Sequence, residues 1–441
     1  MKPPNSPQSA SAALYDRAQE VLPGGVSRNT VLRSPHPLYA DSGEGARVTD
    51  IEGVTRIDFS NNMASLIHGH AHPVVVDAVV EQIRKGTAFM MATEAEVRYA
   101  EHLCSRNAGF ERIRFANSGT EAVMSSLKAA RAFTGRPKIA KIEGAYHGLY
   151  DYAEVSQTAT PANWGEYERP ASVPVAQGTP FRALEDVVVV PFNDPETATA
   201  ILDRHTDEIA CVLVDVLPHR VGLVPATPEF VGALRQWTLD HDALLVFDEV
   251  ITFRSEYGGA QEWYDVRPDL TALGKIIGGG FPVGALAGRS QVMDVMDPRS
   301  SQYRFPHSGT FSANPVTMTA GRVTMELFDR EAVAWVNRLA DRARRGIEEA
   351  IFRTGIPACV TGGGSFLRIH MKPNAPRHYR DAFVSPAEGH SIRMLLDHLL
   401  DEGFILINTL SATISTPMTE RDIDDLIEAM ESGFRKLTEM V

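Results

Sequence analysis

The sequence predicts an α/β fold: a mostly parallel sheet covered by helices on both faces, with a smaller lobe after it. Two observations carry this. From about Pro73 onward, amphipathic helical stretches alternate with short apolar runs at 113–115, 138–142, 187–190, 211–216 and 244–247. Short buried runs separated by helices suit a parallel sheet, because each crossover helix must cover a sheet face. The second observation is size and balance. The chain has 441 residues, 44% hydrophobic and 22% charged, an ordinary globular composition with room for roughly three domains.

Taken in order, residues 1–11 are rich in Pro, Ser and Ala and predict a disordered tail. A short helix carrying Ala13, Leu14, Ala18, Val21 and Leu22 follows and stops at Pro23-Gly24-Gly25. Residues 45–59 are two alternating runs around Glu52-Gly53, the pattern of a hairpin. The expected organisation is a tail (1–11), an N-terminal segment serving the small domain and the site entrance (12–72), a large domain (73–317) and a small C-terminal domain (318–441). Residues 156–179 have no helix or strand period and contain three prolines; so long a loop is usually functional or an interface element. The last helix puts Ile423, Leu426, Ile427, Met430, Phe434 and Leu437 on one face, with Thr419 and Asp422 placed as a capping pair.

Charge and cysteine usage narrow the function. Fifty-six acids against 43 bases give a net charge of −13, which argues against the basic face that nucleic acid needs and against anionic membranes. Cys104, Cys211 and Cys359 are odd in number and scattered, so a reducing compartment is expected. Residues 1–13 have no apolar core, so a secretion signal is not expected there, and no run approaches about 18 apolar residues. A cytoplasmic enzyme is the expectation.

The strongest chemical feature is Leu244-Leu245-Val246-Phe247-Asp248-Glu249-Val250, followed further on by Gly274-Lys275. Asp248 stands directly after an apolar strand, where open α/β sheets present groups to ligands. Lys275 lies between Leu270-Thr271-Ala272-Leu273-Gly274 and Ile276-Ile277-Gly278-Gly279-Gly280. Apolar surroundings lower a lysine's pKa and make its amine nucleophilic. A second constellation is Phe115-Ala116-Asn117-Ser118-Gly119-Thr120-Glu121-Ala122, a strand entering a helix with capping-box spacing between Ser118 and Glu121. Its first-turn amides, with the hydroxyls of Ser118 and Thr120, make a phosphate cup. Ala145-Tyr146-His147-Gly148 offers an aromatic plate, and His307-Ser308-Gly309-Thr310-Phe311 another hydroxyl in a glycine turn. A phosphate cup, an aromatic plate, a carboxylate for a ring nitrogen and a lysine for a Schiff base are the parts pyridoxal phosphate requires.

In their order, Asn117-Ser-Gly-Thr-Glu-Ala122, Tyr146-His-Gly148, Phe247-Asp-Glu-Val250, Gly274-Lys275 and Gly309-Thr-Phe311 resemble the class III (ω-type) aminotransferases and their aminomutase relatives. The resemblance implies fold-type I: a large cofactor domain, a smaller α+β domain, and a homodimer with shared active sites. It implies that Lys275 bears pyridoxal 5′-phosphate, that Asp248 pairs with the ring nitrogen, and that Tyr146 and Val250 pack on the ring. Ser118, Gly119 and Thr120 would hold the phosphate, with Thr310 reaching it from the partner subunit. The implied reaction moves an amino group between an amino acid, β-amino acids included, and a keto acid. An aminomutase of the glutamate-1-semialdehyde type, an amino-acid racemase and a non-catalytic cofactor-binding protein are the alternatives.

The substrate side is less regular. Arg28, in Pro23-Gly-Gly-Val-Ser-Arg28, is similar in placement to the arginine that takes the substrate carboxylate in the branch acting on aromatic β-amino acids. Three departures stand against copying a substrate. Asp215-Val216-Leu217-Pro218-His219-Arg220 replaces a Glu-Pro-Val segment, making Arg220 a second candidate reader. Residues 406–410 carry no arginine, and Met63 stands where relatives often have an aromatic wall. Motifs for dinucleotides, P-loops, serine hydrolases and zinc proteases are missing. His68, His70 and His72 form a tight turn with no nearby carboxylate, so no metal site is expected; a packed turn at the dimer interface is preferred.

Overall fold

The computed structural model describes residues 9–439. The tail expected over 1–11 falls outside the described residues up to position 8. The first helix, Ala10–Val21, begins before the tail's expected end, capped by Ser9, whose Oγ accepts from the Ala12 amide.

Seven strands build the central sheet in the order Arg112–Ala116, Gly284–Gly288, Leu270–Gly274, Leu244–Asp248, Ile209–Val214, Lys138–Ile142 and Val187–Val190. Gly284–Gly288 is antiparallel to both neighbours; the other neighbouring pairs are parallel. Alternate residues enter opposite cores. Val187, Val189, Leu244 and Val246 pack with Val123 and Leu127 of the helix Gly119–Thr134. Val188, Val190, Leu245 and Phe247 pack with Phe230 of the helix Pro228–Asp240. Burial on both faces is why these strands read as apolar runs. The strand Gly284–Gly288 escaped that reading. Its end glycines are there because a Cβ at Gly284 would run into the Ser118 carbonyl, and one at Gly288 into the Asp269 carbonyl.

The expected hairpin forms from Arg47–Asp50 and Thr55–Asp58. Phe404–Ile405 adds to it in parallel, tying the C-terminal part to the N-terminal part. Cys359–Thr361, Phe366–His370 and Ser411–Thr413 form a separate antiparallel sheet. The last helix, Glu420–Glu439, packs on Arg330–Thr354, and its apolar residues are inward as expected. Thr419 and Asp422 exchange side-chain-to-amide hydrogen bonds of 2.8 and 3.2 Å.

The long loop is held by its own chain. Arg380 pairs with Glu143 at 3.0 Å and donates to the carbonyls of Trp164, Gly165 and Glu166. The Tyr379 hydroxyl donates to the Ala159 carbonyl at 2.7 Å. Among the described residues, no helix is long and apolar enough to cross a membrane.

Candidate active site

Six strands of the central sheet run the same way and end on one edge, where open α/β sheets bind ligands. The turns beyond them carry Ser118, Tyr146 with His147, Asp215, Asp248 and Lys275. Asp248 is the last residue of its strand and is buried. Its Oδ2 lies 2.7 Å from His147 Nδ1, and its Oδ1 accepts the Val250 amide at 3.0 Å. Burial pushes the His147 imidazole below its ordinary value, although Asp248 pulls it up. His147 Nε2 is buried without a partner. A neutral ring with its proton on Nδ1 satisfies both facts, since a bare lone pair costs less than an unpaired N–H.

Asp215 follows the next strand and accepts the Leu217 amide at 2.9 Å. Burial first, and the nearby Asp248 second, raise its carboxyl well above the usual range. Lys275 emerges at left-handed φ 52°, a conformation costing on the order of 1–3 kcal/mol that persists only where the surroundings impose it. Burial pushes its amine below the ordinary lysine value, while Asp248 and Asp215 pull it back up.

Ser118 caps the helix Gly119–Thr134 by accepting the Glu121 amide on Oγ at 3.1 Å. That leaves the hydroxyl proton free to donate. The expected capping box does not close: Glu121 instead accepts the Asn117 amide at 2.6 Å, fixing the turn one residue earlier. The first-turn amides have no acceptor within the helix and sit at its positive end. Close packing explains the glycines here. A Cβ on Gly119 would lie 2.8 Å from Val250 Cγ1, and one on Gly148 2.5 Å from Thr120 Oγ1. The folded chain thus brings the motifs at 118–120, 146–148 and 248–250 into mutual contact. This cradle suits a flat phosphorylated ring: it sets an anion cup, a buried carboxylate and a partly desolvated amine at neighbouring strand ends.

Tyr146 is half-exposed; partial burial first, and Asp248 second, push its hydroxyl above the ordinary tyrosine value, while Arg220 pulls it down. Thr310 stands exposed beside Phe311. Arg28 is exposed and donates to Asn62 Oδ1 at 2.7 Å. Arg220 is exposed, with its Nε on the Gln157 carbonyl at 2.9 Å. Met63 lies in an element the sequence did not show, because it contains no glycine: Asn61, Asn62, Met63 and Ala64 are all left-handed, with φ of 46°, 49°, 56° and 68°. Such a turn costs roughly 1–2 kcal/mol per residue. Asn61 Nδ2 anchors it on the Thr413 carbonyl at 2.8 Å, and fully buried Arg254 donates to the Ala64 carbonyl at 3.2 Å.

The histidine turn needs one correction. A carboxylate does lie beside it, brought by the hairpin: Asp58 Oδ2 is 2.9 Å from His70 Nε2. His68 is engaged on both nitrogens, by Thr416 and the Thr324 carbonyl, and burial pushes it down to about 4. The sequence reading gave no role to His147, although its place beside the aromatic plate was a signal. Arg254 gave none.

Fold and crevice suit a transferase built around a phosphorylated ring cofactor, and similarity to known proteins makes the class specific. Residues 30–432 match the family model for aminotransferase class-III, and the chain belongs to that family. It is similar to a glutamate-1-semialdehyde 2,1-aminomutase of Methanothermobacter thermautotrophicus, 40% identical and covering 84% of this chain and 86% of that protein. It superposes at TM-score 0.95 on an omega-transaminase from Sphaerobacter thermophilus, 44% identical with 98% of each chain covered. A beta-phenylalanine aminotransferase from Variovorax paradoxus matches at TM-score 0.85 and 34% identity, covering 96% of this chain and 93% of that one. The fold is therefore fold-type I and the chain is a pyridoxal-phosphate-dependent enzyme. A transaminase solved with that cofactor bound, 42% identical, superposes at TM-score 0.91 over 98% of each chain.

Proposed function

We propose that the chain is an aminotransferase exchanging an amino group between an amino acid, β-amino acids included, and a keto acid. The observation supporting it most is end-to-end similarity to a transaminase that exceeds the similarity to the aminomutase. When bound, the cofactor supplies an aldehyde to take up the amino group and a ring to accept electrons. Lys275 would hold it covalently and then carry the proton, a task its lowered amine suits. Asp248 would keep the pyridine nitrogen protonated through a charge-assisted bond worth about 1.5–3 kcal/mol. His147 would hold Asp248 in line. Tyr146 and Val250 would flank the ring, and Ser118, Gly119 and Thr120 would hold the phosphate.

A homodimer is part of this reading. Val76, Val80, Ile83, Phe89, Met90 and Met91 are exposed, an amount of apolar surface that a second copy would cover. The partner subunit's Thr310 would then complete the cup. Arg28, hydrogen-bonded to Asn62, would take the substrate carboxylate with its two-pronged fork, with Met63 next to Asn62 in the chain.

The similarity to an aminomutase favours a second reading, internal transfer with no released intermediate; a racemase is a third. One experiment covers all three. The holoenzyme is screened against α-, β- and ω-amino donors for loss of the cofactor's visible band, then given keto acid. Recovery of the band with release of a new amino acid supports transamination. Isomerised donor without a keto-acid requirement sinks it, as does a donor converted only to its mirror image. Borohydride reduction and peptide mapping should place the cofactor on Lys275; finding it on Lys128 or Lys141 removes the assignment.

A further inference from the structure

Lys141, on the strand Lys138–Ile142, is fully buried. Lysines normally keep the ammonium in water, and burying one is costly unless its donors are met. Here Nζ donates to the Ala145 carbonyl at 3.1 Å and to the Val155 carbonyl at 2.7 Å. The first acceptor stands directly before Tyr146 and His147. The second opens the segment 155–159.

That segment is anchored from several elements. Arg220 Nε donates to the Gln157 carbonyl at 2.9 Å, and the Tyr379 hydroxyl to the Ala159 carbonyl at 2.7 Å. The Gly144 amide donates to the Ser156 carbonyl at 3.0 Å, with Ser156 itself left-handed at φ 57°. Facing it, the turn 145–148 carries Tyr146 and also His147, whose Nδ1 lies 2.7 Å from Asp248 Oδ2. Lys141 bridges the anchored segment and this turn.

The charges facing Lys141 are Glu143, Arg220, Glu154 and, when protonated, His147. Glu143 is already paired with Arg380 at 3.0 Å. Burial therefore wins and pulls the Lys141 amine down to about 7, with Glu143 and Glu154 raising it and Arg220 lowering it. Lys141 in turn adds to the burial that holds His147 below its ordinary value.

We propose that Lys141 is a positioning residue for the cofactor: its ammonium ties the turn 145–148 to the segment 155–159, and so sets Tyr146 on the ring and His147 on Asp248. The proposal rests on the preceding reading for the places of Tyr146 and Asp248. Hydrogen bonds from a charged donor are roughly twice as strong as those from a neutral one. The tie is therefore tight while the amine is charged and slackens as it loses its proton near neutral pH. A packing role would not depend on that charge.

The test loads cofactor-free wild-type and Lys141→Met protein with pyridoxamine phosphate, which forms no bond to Lys275. Circular dichroism of the cofactor band is read at about pH 6 and about pH 8.5, either side of the amine's value of about 7. The ring is achiral, so its dichroism reports the asymmetric contacts its neighbours make. The wild-type signal should exceed that of Lys141→Met at the lower pH, by a margin at least about twice that at the higher pH. An equal margin at both pH values, or none, overturns the positioning role. Glu154→Gln is the second variant: it keeps the shape and the bonds of Lys141 but removes a charge that helps hold the ammonium's proton. Its dichroism should fall at lower pH than the wild type's; a fall that stays in place overturns the proposal even if Lys141→Met does not fold. Cofactor mapped by borohydride away from Lys275 sinks the preceding reading of the site, whereas a pH-independent margin with the cofactor on Lys275 sinks this proposal alone.

Discussion

His147 donates its Nδ1 hydrogen to Asp248 Oδ2 over 2.7 Å, with both side chains buried. The contact joins residues 101 positions apart and leaves Asp248 one oxygen aimed by the Val250 amide. If Asp248 keeps the cofactor's ring nitrogen protonated, the two should be separable. Asp248→Asn is expected to slow the amino-donor half-reaction at least tenfold, by loss of a charge-assisted bond of about 1.5–3 kcal/mol. His147→Gln should cost less and should shift the pH at which the visible band titrates. Stopped-flow spectra check both; an unshifted band in His147→Gln would deny it any positioning role.

The Lys275 amine is lowered by burial, which gives a signed pH prediction. A lowered pKa means the neutral, nucleophilic amine is present at lower pH than in an exposed lysine, whose midpoint is about 10.4. Recombination of cofactor-free enzyme with pyridoxal phosphate should therefore level off with rising pH before that midpoint. Absorbance kinetics measure this, and a plateau reached only above the ordinary value contradicts it.

Arg28 bears on carboxylated donors. Arg28→Ala is expected to cost about 2–5 kcal/mol in kcat/KM with a carboxylated donor, roughly 30- to several-thousand-fold, and little with a carboxylate-free amine. Arg28→Lys should also impair the carboxylated donor, because the charge stays but the fork is lost. Equal losses on both donors would show that Arg28 acts through Asn62 on the strained turn instead.

Thr310 is exposed in the single chain. Thr310→Ala should weaken cofactor retention in dialysis more than it lowers the melting temperature, because a hydroxyl-to-phosphate bond is charge-assisted. Sedimentation should show a dimer. A fully active monomer would contradict the shared site.

Much of the cofactor crevice was legible beforehand, because its motifs sit on strand ends and helix starts that local periodicity marks. Lys275 after an apolar run, Asp248 after another and Ser118 before a helix are each one-dimensional signals. Local pattern also fixed the hairpin and the last helix with its Thr419–Asp422 cap. Other features needed the folded chain, because their cause is distant in sequence. Gly284–Gly288 is a strand because its backbone must pass close to Ser118 and Asp269, which favours glycine over strand-forming side chains. The left-handed turn at Asn61–Ala64 is held by Thr413 and Arg254. Asp58 meets His70 only when the hairpin folds back. His147 meets Asp248 only in the folded chain, since burial and hydrogen-bond partners are properties of three-dimensional neighbours.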